Sequence, residues 1–195
     1  MELPPSALGV LRRVVESLEA AGFETMLVGG LATFAWGEPR TTRDLDVAVR
    51  LAGRGATDVA RALNRVGAEP QGPFSTDFGP RFILPFKDGL PVDVFLADEF
   101  QADEFARRRR VTTGDATFWV LSPEDLVASK LRSAERFPDE RAKDLADAAG
   151  VLFKQWANLD HALVRALAER TGLSARFDAL AAEVREARRR AGLPA

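Results

Sequence analysis

Asp44 and Asp46 stand two residues apart in Asp44-Leu45-Asp46-Val47-Ala48-Val49, a stretch in which large apolar residues alternate with acidic or small ones. Period-2 alternation is the signature of a β-strand. It sets Asp44, Asp46 and Ala48 on one face and Leu45, Val47 and Val49 on the other. Both carboxylates then point the same way, which costs stability by mutual repulsion unless a cation or a hydrogen-bond donor compensates. A third carboxylate, Asp93, lies in a later strand-like run, Val92 to Leu96, on the face opposite Val92, Val94 and Leu96. Two carboxylates on one strand, joined by a third from an antiparallel neighbour, can converge on two cations. Mg²⁺ suits such a set, with Mn²⁺ as the alternative, because a hard ion takes a few carboxylates plus substrate phosphates rather than a full protein cage. Paired ions of this kind clamp the attacking and leaving oxygens of a displacement at phosphorus. Upstream, Gly29-Gly30 closes Phe23 to Val28, which reads as a short buried strand. A glycine pair at a strand-to-helix junction lets backbone approach a phosphate and aims amides at it.

The elements that must position these residues follow from periodicity and punctuation. Leu8, Leu11, Val14, Val15 and Leu18 recur at helical spacing between Pro4-Pro5 and Gly22, so residues 6–21 read as an amphipathic helix. A strand over 23–28 follows, then a turn or two of helix over 31–36, a polar loop over 38–43, the strand 44–51 and a helix over 54–67. Pro70, Gly72 and Pro73 mark a loop, and Asp88-Gly89 between the runs Phe82–Phe86 and Val92–Leu96 is a hairpin signal. Beyond residue 98 an acidic and then a basic run leads to a short strand pair near Val111 and Phe118. Ser122 is an N-cap with Pro123 at the first helical position, opening a helix through Ala134, and three more helices are expected over 138–153, 158–171 and 174–191. The expected fold is α+β: a small mixed β-sheet carrying the three carboxylates and flanked by helices, as residues 1–121, then a helical C-terminal part, residues 122–195, forming the other wall of a cleft.

Composition narrows the function classes. Twenty-seven Lys and Arg stand against 29 Asp and Glu, a formal net charge of -2, so the whole-chain field does not favour polyanions and any nucleic-acid contact needs a local patch. With no cysteine there is no disulfide framework, thiolate metal site or thiol nucleophile, as in a reducing cytoplasm. No apolar run approaches the ~18 residues of a membrane span, so a cytoplasmic protein without a membrane partner is expected. Arg107 to Arg110 and Arg185 with Arg188 to Arg190 are the basic runs. Solvated faces explain most such runs, although an RNA acceptor would find its phosphate contacts there.

Asp-x-Asp alone is a weak signal, shared with metal-dependent glycosyltransferases. The order Gly29-Gly30, then Arg40, Thr42, Asp44 and Asp46, then Pro91-Val92-Asp93-Val94-Phe95 is far more specific. It resembles the DNA polymerase β-type nucleotidyltransferase superfamily, and more closely its AbiEii-like branch, toxins of bacterial abortive-infection and toxin–antitoxin systems. The resemblance spans roughly residues 23–153 and extends to Lys130 on a helix and to Asp144 and Asp147 after Lys143. It implies a nucleotidyltransferase fold and transfer of a nucleoside monophosphate from an NTP to an acceptor hydroxyl, with release of pyrophosphate. It further implies that Asp44 and Asp46 ligate both metals, that Asp93 holds one and helps deprotonate the acceptor, and that Lys130 neutralises the triphosphate. Asp144 or Asp147 would shape a pocket, and Arg40 and Thr42 would orient the loop or touch phosphate. Gly30 stands where much of the superfamily has Ser. The acceptor would be tRNA or another macromolecule, with a cognate antitoxin as partner; the alternatives are a small, antibiotic-type acceptor or a non-catalytic binding module. Trp36 is expected in the core and His161, the single histidine, at a surface or interface.

Overall fold

Pro5–Ala20 form helix α1, whose Ala7, Val10, Leu11, Val14, Val15 and Leu18 are buried as one stripe. A computed structural model describes residues 5–38, 41–76, 79–87, 89–97 and 102–195. The chain divides into two units, Met1–Leu31 with Thr41–Leu121, and Ala32–Arg40 with Ser122–Ala195.

The first unit is built on a seven-stranded mixed sheet. Its strands are β1 (Glu24–Leu27), β2 (Leu45–Arg50), β3 (Gln71–Phe74), β4 (Arg81–Leu84), β5 (Val92–Ala97), β6 (Arg109–Thr113) and β7 (Ala116–Val120), in the order β3-β4-β5-β2-β1-β7-β6. Strand β2 lies in the middle, and its Leu45, Val47 and Val49 are completely buried, as the alternation requires. Helix α1 packs on β1, on β2 and on α3 (Ala56–Leu63), whose Val59, Ala62 and Leu63 complete that core.

Three local readings change. The strand carrying Asp93 was expected to run antiparallel to that of Asp46, but β2 and β5 are parallel, with Asp46 directly beside Asp93. The intervening segment holds α3, β3 and β4, a crossover of the length that parallel pairing needs, and the antiparallel neighbour of β5 is β4 instead. The stretch around Gly72-Pro73, read as a loop, is the edge strand β3, where a proline is tolerated because one side of the strand needs no ladder donor. The charge run after residue 98 contains a short helix, α4 (Ala102–Arg107), anchored by the buried Phe105. Its Asp103 and Glu104 in the first turn and Arg107 in the last suit the helix dipole. Of the Asp88-Gly89 signal, Asp88 lies outside the described residues; β4 and β5 pair antiparallel on either side of it.

The second unit is helical: α5 (Pro123–Arg136), α6 (Arg141–Gln155), α7 (His161–Glu169) and α8 (Ser174–Arg190). The Ser122 hydroxyl caps α5 by accepting from the Asp125 amide at 3.1 Å, and the Asp160 carboxylate caps α7 through the Leu163 amide at 2.9 Å. Helix α2 (Gly29–Trp36) begins in the first unit, and its later residues belong to the second, where Gln155 Nε2 donates to the Trp36 carbonyl at 3.0 Å. Among the described residues no helix is long and apolar enough to cross a membrane.

The α1 stripe sets the first test of this packing. Leu11 is fully buried, so Leu11→Ala is expected to lower the urea unfolding free energy by about 2–5 kcal/mol. A cost near zero would mean that α1 does not cover the sheet.

Candidate active site

Three carboxylates meet on one face of the sheet. One oxygen from each of Asp44, Asp46 and Asp93 lies within 4.8 Å of the other two. The alternation in β2 turns Asp46 away from the buried Leu45–Val47–Val49 face, the parallel register brings Asp93 beside it, and Asp44 stands at the entrance to the strand. Oxygen-only donors at this spacing fit a hard divalent cation. Asp93 is 5% exposed, and Asp44 and Asp46 are half-buried.

Each carboxylate has a neighbour that holds it. Gly30 donates its backbone N–H to Asp46 Oδ2 at 3.2 Å, at the start of α2, where the helix dipole also favours negative charge. Gly29 makes that approach possible. Its φ is +52°, and a Cβ there would stand 2.1 Å from Asp46 Oδ2 and 2.8 Å from Asp46 Cγ, so any side chain would displace the carboxylate. The glycine pair, expected to cradle phosphate, thus has a partner in Asp46. Thr42 Oγ1 lies 2.9 Å from the Asp44 carbonyl and 3.3 Å from Asp44 Oδ1, so its hydroxyl steadies the segment entering β2. Arg40 lies outside the described residues.

The partner of Asp93 is a residue that the sequence reading did not single out. Arg81, on β4, places Nη1 2.5 Å from Asp93 Oδ2, and its guanidinium sits 5.7 Å from the centre of the Phe95 ring. Directly opposed residues in β4 and β5 are Ile83 with Asp93 and Arg81 with Phe95, so the ion pair runs diagonally across the ladder. Nothing local marks an arginine in Arg81-Phe82-Ile83-Leu84 as special; only strand register brings it to the site. Burial pushes the Asp93 carboxyl above its ordinary value, the Asp44 charge pushes the same way, and Arg81 opposes both.

The remaining candidates belong to the helical unit. Lys130 on α5 places Nζ 2.8 Å from Asp144 Oδ1 and 2.8 Å from Asp147 Oδ2, both on α6. All three are buried. The choice between Asp144 and Asp147 that the sequence left open becomes a shared contact, since one turn of α6 brings both to the same ammonium. Of the arginine runs, Arg188 is buried, Arg107 and Arg108 are half-buried, and Arg109, Arg110, Arg185, Arg189 and Arg190 are exposed. Arg108 pairs with Glu24 at 2.8 Å and lies 4.7 Å from the Trp119 ring centre. Arg188 is buried, donates to the Pro194 carbonyl at 2.7 Å and also donates to the Phe153 carbonyl. Arg189 and Arg190 pair with Glu186. His161 sits 2.9 Å from the Trp156 carbonyl and packs edge-on against that ring, and Trp36 is half-buried at the end of α2.

A family model and several solved structures match this chain. The family model described as nucleotidyl transferase AbiEii toxin, type IV toxin–antitoxin system, matches residues 10–193. Similar solved structures include ANT(2″)-Ia in complex with adenylyl-2″-tobramycin, with a TM-score of 0.61, 16% identity and coverage of 84% of this chain and 98% of that one. An antigenic nucleotidyltransferase-like protein from Paracoccidioides brasiliensis gives a TM-score of 0.54 at 19% identity, covering 91% and 95%. The lincosamide antibiotic adenylyltransferase LnuA, lincomycin-bound, gives 0.53 at 14%, covering 77% and 99%. At such identities the likeness is one of fold. No curated protein matches by sequence.

Two outcomes follow from the site. Gly29→Ala, which drives a methyl group into the Asp46 carboxylate, is expected to leave far-UV circular dichroism near wild type. It should weaken Mn²⁺ binding, read by electron paramagnetic resonance, by tenfold or more, ~1.4 kcal/mol; wild-type affinity would show that the close approach is not needed. The second concerns pH. A carboxyl raised in the folded state binds a proton more readily there than in the unfolded chain. Its contribution is therefore fully present below the ordinary Asp value of 3.8 and is lost as pH rises through the folded value. Without divalent ions, the stability of wild type relative to Asp93→Asn should fall with rising pH across that window. Arg81 stays charged throughout, so a flat difference would refute the raised value.

Proposed function

Because the chain belongs to the AbiEii family of nucleotidyl transferase toxins from type IV toxin–antitoxin systems, we propose that Asp44, Asp46 and Asp93 are its catalytic carboxylates. On this reading they hold two Mg²⁺ ions, for which Mn²⁺ can substitute, and the acceptor is RNA, tRNA being the first candidate. The observation that carries the reading is the convergence of three carboxylate oxygens within 4.8 Å on one sheet face, beside Gly29, where no side chain fits. A binding-only module has no use for three clustered like charges.

When bound, the metal pair would neutralise phosphate charge and lower the proton affinity of the attacking hydroxyl. The chain's own residues do the positioning, which is most of what phosphoryl transfer asks of a protein. Asp44 and Asp46 would hold both ions and Asp93 one. Thr42 fixes the approach of Asp44, and the Gly30 amide fixes that of Asp46. Arg81 occupies Asp93 Oδ2 and leaves Oδ1 to face the acceptor hydroxyl and take its proton. The hydroxyl oxygen then bonds the α-phosphorus as the bond from that phosphorus to the β-phosphate oxygen breaks, and pyrophosphate departs. In the helical unit Lys130 directs two of its three N–H groups at Asp144 and Asp147. Growth arrest on expression, relieved by a cognate antitoxin encoded beside it, is the cellular behaviour this assignment entails.

The decisive test is incubation with each α-labelled NTP and Mg²⁺, with total cellular RNA and, in a separate reaction, with a small aminated sugar. Wild type should transfer label to RNA. Asp46→Ala should reduce transfer by about a thousandfold or more, the scale at which one preorganised charge-stabilising group counts. Undiminished labelling by the folded variant would remove Asp46 from the chemistry, and label appearing on a small aminated sugar instead of RNA would replace the acceptor class.

A further inference from the structure

The sheet face that carries the acidic trio continues past Asp93 toward the β3 edge. Strand register orders the row. Phe74 on β3 is opposite Arg81 on β4, Arg81 is opposite Phe95 on β5, and Phe95 lies two residues beyond Asp93. Residues directly opposed in antiparallel strands share a face, and so do residues two apart in one strand. Phe74, Arg81 and Phe95 therefore form a strip on the side of the sheet that bears Asp93.

The strip is open at its far end. Phe74 is 47% exposed, and among the described residues Phe74 and Leu193 are the exposed large hydrophobics. A lone exposed phenylalanine is ordinary. This one lies against its own strand's backbone: Gly72, at φ +113°, has no side chain, and a Cβ there would lie 3.1 Å from Phe74 Cδ2 and 2.9 Å from the Arg81 carbonyl. The backbone of β3 thus approaches β4 closely enough to seat the ring beside Arg81. Phe95 is half-buried, and the Arg81 guanidinium lies 5.7 Å from the centre of its ring, one N–H on Asp93 and its buried Nε without a partner among the described residues.

Resting on the RNA reading above, we propose that Phe74, Arg81 and Phe95 form the acceptor subsite and bind the terminal nucleotide of single-stranded RNA next to Asp93. An aromatic face takes a base by stacking, and a guanidinium takes a phosphate or a base edge; these are the two contacts by which proteins hold single strands. A polyaminated sugar asks for carboxylates, and outside the trio the strip carries none. Phe74, being the exposed ring, is the stacking platform. Arg81 ties that platform to the carboxylate that receives the acceptor proton, so a base stacked on Phe74 sets its own terminal hydroxyl toward Asp93.

The test compares wild type, Phe74→Ala and Phe74→Trp with total cellular RNA as acceptor and, separately, with NTP and Mg²⁺ alone. Phe74→Ala should raise KM for RNA about 5- to 100-fold, the alanine cost of one base–aromatic stack. The thermal shift produced by NTP and Mg²⁺, which reads the nucleotide site, should be as in wild type. Phe74→Trp, which keeps a stacking face, should restore KM to within a few-fold of wild type. Wild-type KM in Phe74→Ala would overturn the subsite while leaving RNA as the acceptor. A tryptophan variant as poor as the alanine one would also overturn it, since loss of packing rather than of stacking would then be responsible. If wild type labels the aminated sugar of the transfer assay and no RNA, the RNA reading falls and the subsite with it.

Discussion

Three carboxylates on one sheet face repel one another, and the surrounding residues are arranged around that repulsion. Each acidic group is matched by a donor from a different element: the Gly30 amide at the start of α2 for Asp46, the Thr42 hydroxyl for the segment of Asp44, and the Arg81 guanidinium for Asp93. None of these donors cancels the charge of the trio. Asp93 in particular remains harder to ionise than an ordinary aspartate because burial removes its water. Such residual frustration is what a folded chain tolerates where it has work to do and avoids elsewhere. On the proposed reading, divalent cations resolve it, and a site that is uncomfortable when empty binds them the more firmly.

Close approach is the second constraint. Asp46 can lie against the start of α2 because residue 29 is a glycine with positive φ, and β3 can lie against β4 because residue 72 is another. In both places an L side chain would be strained by its own backbone and would collide with a neighbour. The two glycines sit on opposite sides of the trio along the sheet, one beside Asp46 and one at the β3 edge beyond Asp93. The helical unit has its own charged cluster, Lys130 with Asp144 and Asp147, buried and mutually bonded. Removing one member of such a group strands the others without solvent.

The gross architecture was legible in the chain. Helical spacing of Leu11, Val14, Val15 and Leu18, the Ser122-Pro123 cap and the alternation through Asp44 to Val49 are local patterns, and local patterns fix local structure. The glycine pair, Asp44, Asp46 and Asp93 were legible for the same reason, being residue types whose spacing carries chemistry. Less visible was β3, because Gly72 and Pro73 are turn formers everywhere except at a sheet edge. Helix α4 was hidden as well, since one buried phenylalanine among charges makes no period.

The amino-acid order by itself determined which groups could bind metal and phosphate and which faces of their strands they occupied, since the two-residue repeat of a strand needs no knowledge of its neighbours. The tertiary structure alone decided which strands became neighbours. Parallel pairing of β2 with β5 set Asp46 beside Asp93, where an antiparallel hairpin partner had been expected, and insertion of β4 as the next strand delivered Arg81 to a carboxylate twelve residues further along the chain. Register between distant strands depends on the crossover, on the packing of α1 and α3 and on where glycines allow backbones to meet. These are properties of the assembled sheet, and no window of sequence contains them.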